Sequence, residues 1–146
     1  MSSTTRFLFV GEKPSRKALK IGARWETAQL AGRTLRDALA ALGLADAERI
    51  FINLFGDDPE APLEDGPRVR ARARAIRAHQ GAGFTVVGLG RNVQQMLERH
   101  RIKHLRLTHP AARGRIRRKE LYIEHAGQVL LHRPELHAYE PEAKAA

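Results

Sequence analysis

The sequence predicts an α/β protein: a three-layer α/β/α sandwich around a central, mainly parallel four-stranded sheet. Two observations carry this. Short apolar runs, each stopped by Gly, Asn or a His-Pro step, alternate with segments whose apolar residues recur at helical spacing. The early runs are also almost unbroken in apolar character, as parallel strands covered on both faces must be. Strand and helix alternation of this kind is the pattern of helices packed on both sides of a sheet.

Phe7-Leu8-Phe9-Val10, ended by Gly11 and Pro14, is the first predicted strand, and a loop rich in Lys, Arg, Gly and Ser runs on to Trp25. Thr27 to Leu42 reads as a helix through Leu30, Leu35, Ala38, Leu39 and Leu42, with Gly43 at the C-cap position. Ile50-Phe51-Ile52 with Asn53-Leu54 is the second strand, and the Gly-, Pro- and acid-rich stretch Phe55 to Pro67 is a loop. Arg68 to Gln80 is helical, with Val69, Ala73 and Ile76 on one face and Arg70, Arg74 and Arg77 on another. Phe84-Thr85-Val86-Val87 is the third strand, stopped by Gly88 and Gly90. Asn92 to His100 is a short helix, and His104 to Thr108 is the fourth strand, before His109-Pro110 opens a basic loop. Residues 121–132 fit either a hairpin about Ala126-Gly127 or a helix. One domain is expected over residues 1–134, with a flexible polar tail at 135–146.

The composition narrows the function classes. With 26 Lys+Arg against 16 Asp+Glu the formal net charge is +10. That balance favours a polyanionic partner, above all nucleic acid. There are no cysteines, so disulfides, iron–sulfur clusters and thiol nucleophiles are excluded. No apolar run approaches a membrane span, and the N-terminal apolar stretch is too short for a signal peptide. A cytoplasmic monomer without membrane contact is the expectation. His100 and His104 flank a predicted helix end, so their spacing is read as no metal site.

In open parallel sheets the ligand crevice lies beyond the carboxyl ends of the strands. The loops there bring Glu12, Lys13, Trp25, Asn53, Arg91 and His109 toward one place. At these residues the chain resembles the uracil-DNA glycosylase superfamily, most closely its family-4 branch. Gly11-Glu12-Lys13-Pro14-Ser15 is similar to the first motif, GEAPG. Gly22-Ala23-Arg24-Trp25 falls at the spacing of the loop whose aromatic stacks on a flipped base. Ala31 to Leu44 looks like the helix after it. Ile50-Phe51-Ile52-Asn53 resembles the strand ending in the base-reading Asn, Val87-Gly88-Leu89-Gly90 the third unit, and Thr108-His109-Pro110-Ala111-Ala112 the final catalytic loop. The likeness spans roughly residues 6–118. It departs from the family in having no cluster-ligating cysteines, in Lys13 at the third motif position, and in Arg113 where an apolar wedge is usual.

The resemblance implies a DNA glycosylase that flips a uracil-like pyrimidine and hydrolyses its N-glycosidic bond without metal or cofactor. Glu12 would orient the attacking water and stabilise the cationic sugar. His109 would donate to O2 of the departing base. Gly11, Lys13, Pro14 and Ser15 would line the base site. Trp25 would stack on the base, and the Asn53 amide would pair with N3–H and O4. Arg113, Arg115, Arg117, Arg118 and Lys119 would grip DNA, single- or double-stranded. Each residue has a plainer reading: Trp25 as a loop anchor, Asn53 bonding its own backbone, His109 as a structural histidine, Glu12 paired with a nearby cation. Lys13 has three readings, a phosphate contact, a partner for Glu12 or a Schiff-base amine. The arginines of the Arg68–Arg77 segment read as a solvated face. Ser15 is smaller than the Tyr that blocks C5 in the best-known branch, and residues 16–20 hold no acid. A tolerance for C5-modified pyrimidines follows. Two other readings stay open: a non-catalytic DNA-binding module on the same fold, and a nucleoside or nucleotide hydrolase.

Overall fold

The computed structural model describes residues 5–14, 31–110 and 118–141. Its centre is a five-stranded sheet in the order β2-β1-β3-β4-β5, built from β1 (Arg6–Gly11), β2 (Glu48–Asn53), β3 (Thr85–Leu89), β4 (His104–Leu107) and β5 (Ala138–Tyr139). The first four strands are parallel, and β5 runs antiparallel along β4. Four α-helices are described: α1 (Ala31–Ala41), α2 (Pro67–Gly81), α3 (Arg91–Arg99) and α4 (Lys119–Gly127).

The apolar run of β1 explains its central place. Phe7, Leu8, Phe9 and Val10 are all buried, and alternate residues serve opposite faces of the sheet. Phe7 and Phe9 join Val87, Leu89, Leu105 and Leu107 beneath Leu35 and Leu39 of α1 and Tyr122 and Ala126 of α4. Leu8 and Val10 join Val86 beneath Val69, Ala73 and Ile76 of α2 and Val93 and Leu97 of α3. Two cores on two faces make the expected three-layer α/β/α sandwich. Each large apolar side chain so buried stabilises the fold by about 1.5–3 kcal/mol.

Two details differ from expectation, and one open choice is decided. The sheet has five strands, not four, because Ala138–Tyr139 of the expected tail pairs with His104 and Leu105. A 3₁₀ turn, Pro134–His137, leads the chain there, and the Tyr139 ring lies 5.5 Å from that of His104. The 121–132 segment is helical rather than a hairpin: α4 continues directly into a π-helical turn, Gln128–His132. Tyr122, Ala126, Val129 and Leu130 are buried along it, at the i, i+4, i+7, i+8 spacing of one helix face. Finally, β3 passes through Gly88 instead of stopping there. A Cβ at Gly88 would sit 3.1 Å from Leu97 Cδ1 and 3.1 Å from His104 Cδ2, so glycine lets α3 approach the sheet closely. No described helix is long and apolar enough to cross a membrane.

Candidate functional site

Because β1 to β4 are parallel, their carboxyl ends share one edge of the sheet. The register sets Gly11 beside Asn53 and Leu89 beside Leu107. Glu12, Asn53, Gly90 and His109 therefore lie at or just beyond four neighbouring strand ends. β1 sits between β2 and β3, so the winding reverses between β1 and β3, where a crevice opens in such folds. A hydrogen bond crosses it: Asn92 Nδ2, at the start of α3, donates to Glu12 Oε2 at 3.1 Å.

The β1 and β2 ends are zipped together beyond the strands. Leu54 N–H donates to Gly11 O at 2.8 Å and Phe55 N–H to Glu12 O at 3.0 Å. Lys13 Nζ donates to Ala61 O at 2.8 Å, tying the first loop to the second. Among the described residues Lys13 makes no ion pair with Glu12. Pro14 is half-buried at the end of this stretch. Asn53 is half-buried, and its carbonyl accepts Arg72 Nη1 at 2.6 Å. Arg72 also reaches Asp57 Oδ2 at 3.2 Å. An arginine read as part of a solvated face thus fixes the peptide that presents Asn53.

The backbone around His109 is fixed from three sides. Gly90 passes so close that a Cβ there would lie 3.3 Å from His109 Cβ. Gln94 Nε2 donates to both Gly88 O and Leu107 O at 3.0 Å, joining the ends of β3 and β4. Thr108, the residue before His109, is bonded to α4: Tyr122 Oη donates to its carbonyl at 2.9 Å. Its N–H donates to His125 Nε2 at 3.0 Å. Burial holds the His109 imidazole below its ordinary pKa, and the Glu12 charge acts on it in the opposite sense. His109 is therefore neutral near pH 7 and within electrostatic reach of Glu12.

Of the expected DNA-gripping residues, Arg118 is exposed just before α4, while Lys119 Nζ lies 3.6 Å from Asp37 of α1. Ser15, Trp25, Arg113, Arg115 and Arg117 lie outside the described residues, as does the 16–20 loop. Arg72, Asn92, Gln94, Tyr122 and His125 were not foreseen. Only Asn92 carried a signal, a polar side chain directly after the third strand on the converging edge. A cavity of about 180 Å³ lies beside the crevice, lined by Phe55, Leu63, Asn92, Gln95, Met96 and Arg99. It shares Asn92 with the Glu12 contact but includes neither Asn53 nor His109. The described residues hold no group of three or more His, Asp or Glu able to bind a metal ion.

A carboxylate, a neutral imidazole and an amide on one edge can orient water, donate to a developing anion and read a planar hydrogen-bonding ligand. No protein-family model matches this chain, and no curated protein matches it significantly.

Proposed function

We propose that the chain is a DNA glycosylase of the uracil-DNA glycosylase kind, hydrolysing the N-glycosidic bond of an extruded uracil-like or C5-modified pyrimidine. One observation carries the reading: Glu12, Asn53 and His109 stand at the carboxyl ends of neighbouring parallel strands, with Asn53 beside Gly11 one strand away.

Bond cleavage leaves positive charge on the sugar and negative charge on the base. His109 donates a hydrogen bond to O2 of the departing base. A neutral imidazole can do this, because one of its ring nitrogens still carries an N–H to donate. Glu12, held by Asn92, orients water toward C1′ and stabilises the sugar cation. Water supplies hydroxide to the sugar and a proton to the released base. Asn53 pairs with the base edge, its peptide fixed by Arg72. Extrusion costs a few kcal/mol, and the polyanion is drawn by a surface rich in arginine. On α2 alone Arg68, Arg70, Arg72, Arg74 and Arg77 occur without one acid.

The test is single-turnover incubation with labelled oligonucleotides carrying uracil or 5-hydroxymethyluracil, followed by alkali. A nicked product is expected, and His109→Ala should slow its formation by about 10²–10³. Salt-sensitive DNA binding with no product would replace this reading with a non-catalytic module. Turnover of free nucleoside without DNA affinity would replace it with a nucleoside hydrolase.

A further inference from the structure

Two side chains of helix α4 are hydrogen-bonded to Thr108, the residue before His109. Both backbone polar groups of Thr108 are taken by α4 side chains, the carbonyl by Tyr122 and the amide by His125. Tyr122 and His125 are three residues apart and so share one helix face. β4 ends at Leu107, so Thr108 lies beyond the strand and is fixed by this two-point hold. We propose that Tyr122 and His125 are positioning residues that aim the His109 imidazole into the crevice, and that the hold requires His125 to be neutral.

The requirement is geometric. A backbone N–H only donates, so the His125 Nε2 facing Thr108 must be bare, with the ring proton on Nδ1. Protonation would set N–H against N–H and release the amide. The surroundings favour the neutral ring. Burial depresses the His125 pKa, and His137 of the 3₁₀ turn acts in the same direction, their rings 6.3 Å apart. Tyr122, on the same helix, faces it with ring centres 6.1 Å apart and stays protonated, since burial pushes the phenol upward. From the segment just after β4 the facing group is the Thr108 amide, with His109 next in the chain. The charged pair between α1 and α4 is Asp37–Lys119, at the opposite end of α4. Among the described residues His125 forms no ion pair with a carboxylate. Acid would therefore act at two places, on His109 itself and on the residue that aims it.

This inference rests on the glycosylase reading for its consequence but not for its test. In isotope-labelled protein, an NMR titration from pH 8 to 5 follows the Thr108 amide and the His109 and His125 rings. The Thr108 amide should move with the His125 ring midpoint. In His125→Gln, whose amide oxygen accepts the same N–H without titrating, that movement should be lost, leaving only a shift at the His109 midpoint. In the uracil cleavage assay, His125→Phe and Tyr122→Phe should each lose about 10- to 100-fold in rate at saturating DNA, as misplaced groups do, with DNA affinity within about twofold. His125→Gln should recover most of the loss and remove the acid limb that tracks His125. A Thr108 amide that ignores His125 protonation, or a His125→Phe protein that cleaves like the parent, would overturn the proposal. If His125→Phe fails to fold, the titration of the parent and of His125→Gln still decides. If the parent cleaves nothing while Thr108 still follows His125, the glycosylase reading fails and the positioning contact stands.

Discussion

Gly90 is the position where backbone geometry and the candidate site meet most directly. It precedes α3 with φ 88° and ψ 164°, a region essentially reserved for glycine, where another residue costs about 1–3 kcal/mol. Its backbone cannot relax freely. Its N–H donates to Leu107 O at 3.0 Å and its carbonyl accepts Gln94 N–H at 3.0 Å. A Cβ added there also meets His109 Cβ at 3.3 Å, so the histidine must yield by a few tenths of an ångström. Gly90→Ala should therefore destabilise by about 1–3 kcal/mol, which in a chain of this size lowers Tm by about 3–9 °C. The urea midpoint should fall with the slope unchanged. Gly90→Asn is the control. Asn tolerates the left-handed helical region but not ψ near 164°, so it should cost as much as Ala. Cleavage measured well below both midpoints should drop further than the folded fraction does, because His109 is displaced. A Gly90→Ala protein within about 0.3 kcal/mol of the parent would refute the backbone argument. An Asn variant that restores stability would refute the assigned ψ.

Acid should weaken the fold below the ordinary histidine range. Burial lowers the pKa of His104, His109 and His125 in the folded state. The unfolded chain therefore binds protons first. Stability is level above about pH 6.5 and falls as pH drops from there toward the folded values. Urea midpoints at pH 7.5 and 5.5 check this. His104→Leu should flatten the fall, since His104 is 2% exposed with no partner at Nε2. An unchanged slope would exclude His104 as a source. Asp65, whose carboxyl is lowered by its His100 hydrogen bond, should add a separate loss only below about pH 3.8. For the proposed DNA partner, Arg70 and Arg74 are the test: both are exposed on α2, the helix whose Arg72 touches Asn53. Replacing both with Ala should reduce the salt slope of DNA binding by up to about 2, near one per lost phosphate contact. An unaltered slope would leave that face merely solvated.

The sequence by itself determined the layered architecture and the edge on which a ligand would be met. Runs such as Phe7–Val10 need cover on both faces, which the helical segments alternating with them supply, and parallel strands must deliver their ends together. The placement of Glu12, Asn53 and His109 on that edge was legible for that reason, since Asn53 ends β2 and the other two follow β1 and β4 by one and two residues. β5 was not legible, because a two-residue edge strand has no period to read. Nor was the choice of helix for 121–132, where Leu121, Ile123 and Leu131 compete with Tyr122, Ala126, Val129 and Leu130. Packing beside α1 and against β4 selected the second set, leaving Leu131 41% exposed. The residues that hold the site were hidden for a related reason. Arg72 reaches Asn53 across 19 positions, Asn92 reaches Glu12 across 80, and Tyr122 and His125 reach Thr108 across 14 and 17. An arginine on a basic helix or a histidine after a tyrosine looks the same in sequence whether or not it bonds a distant peptide. Hydrogen bonding acts over about 3 Å, and only the folded chain brings those atoms within that range.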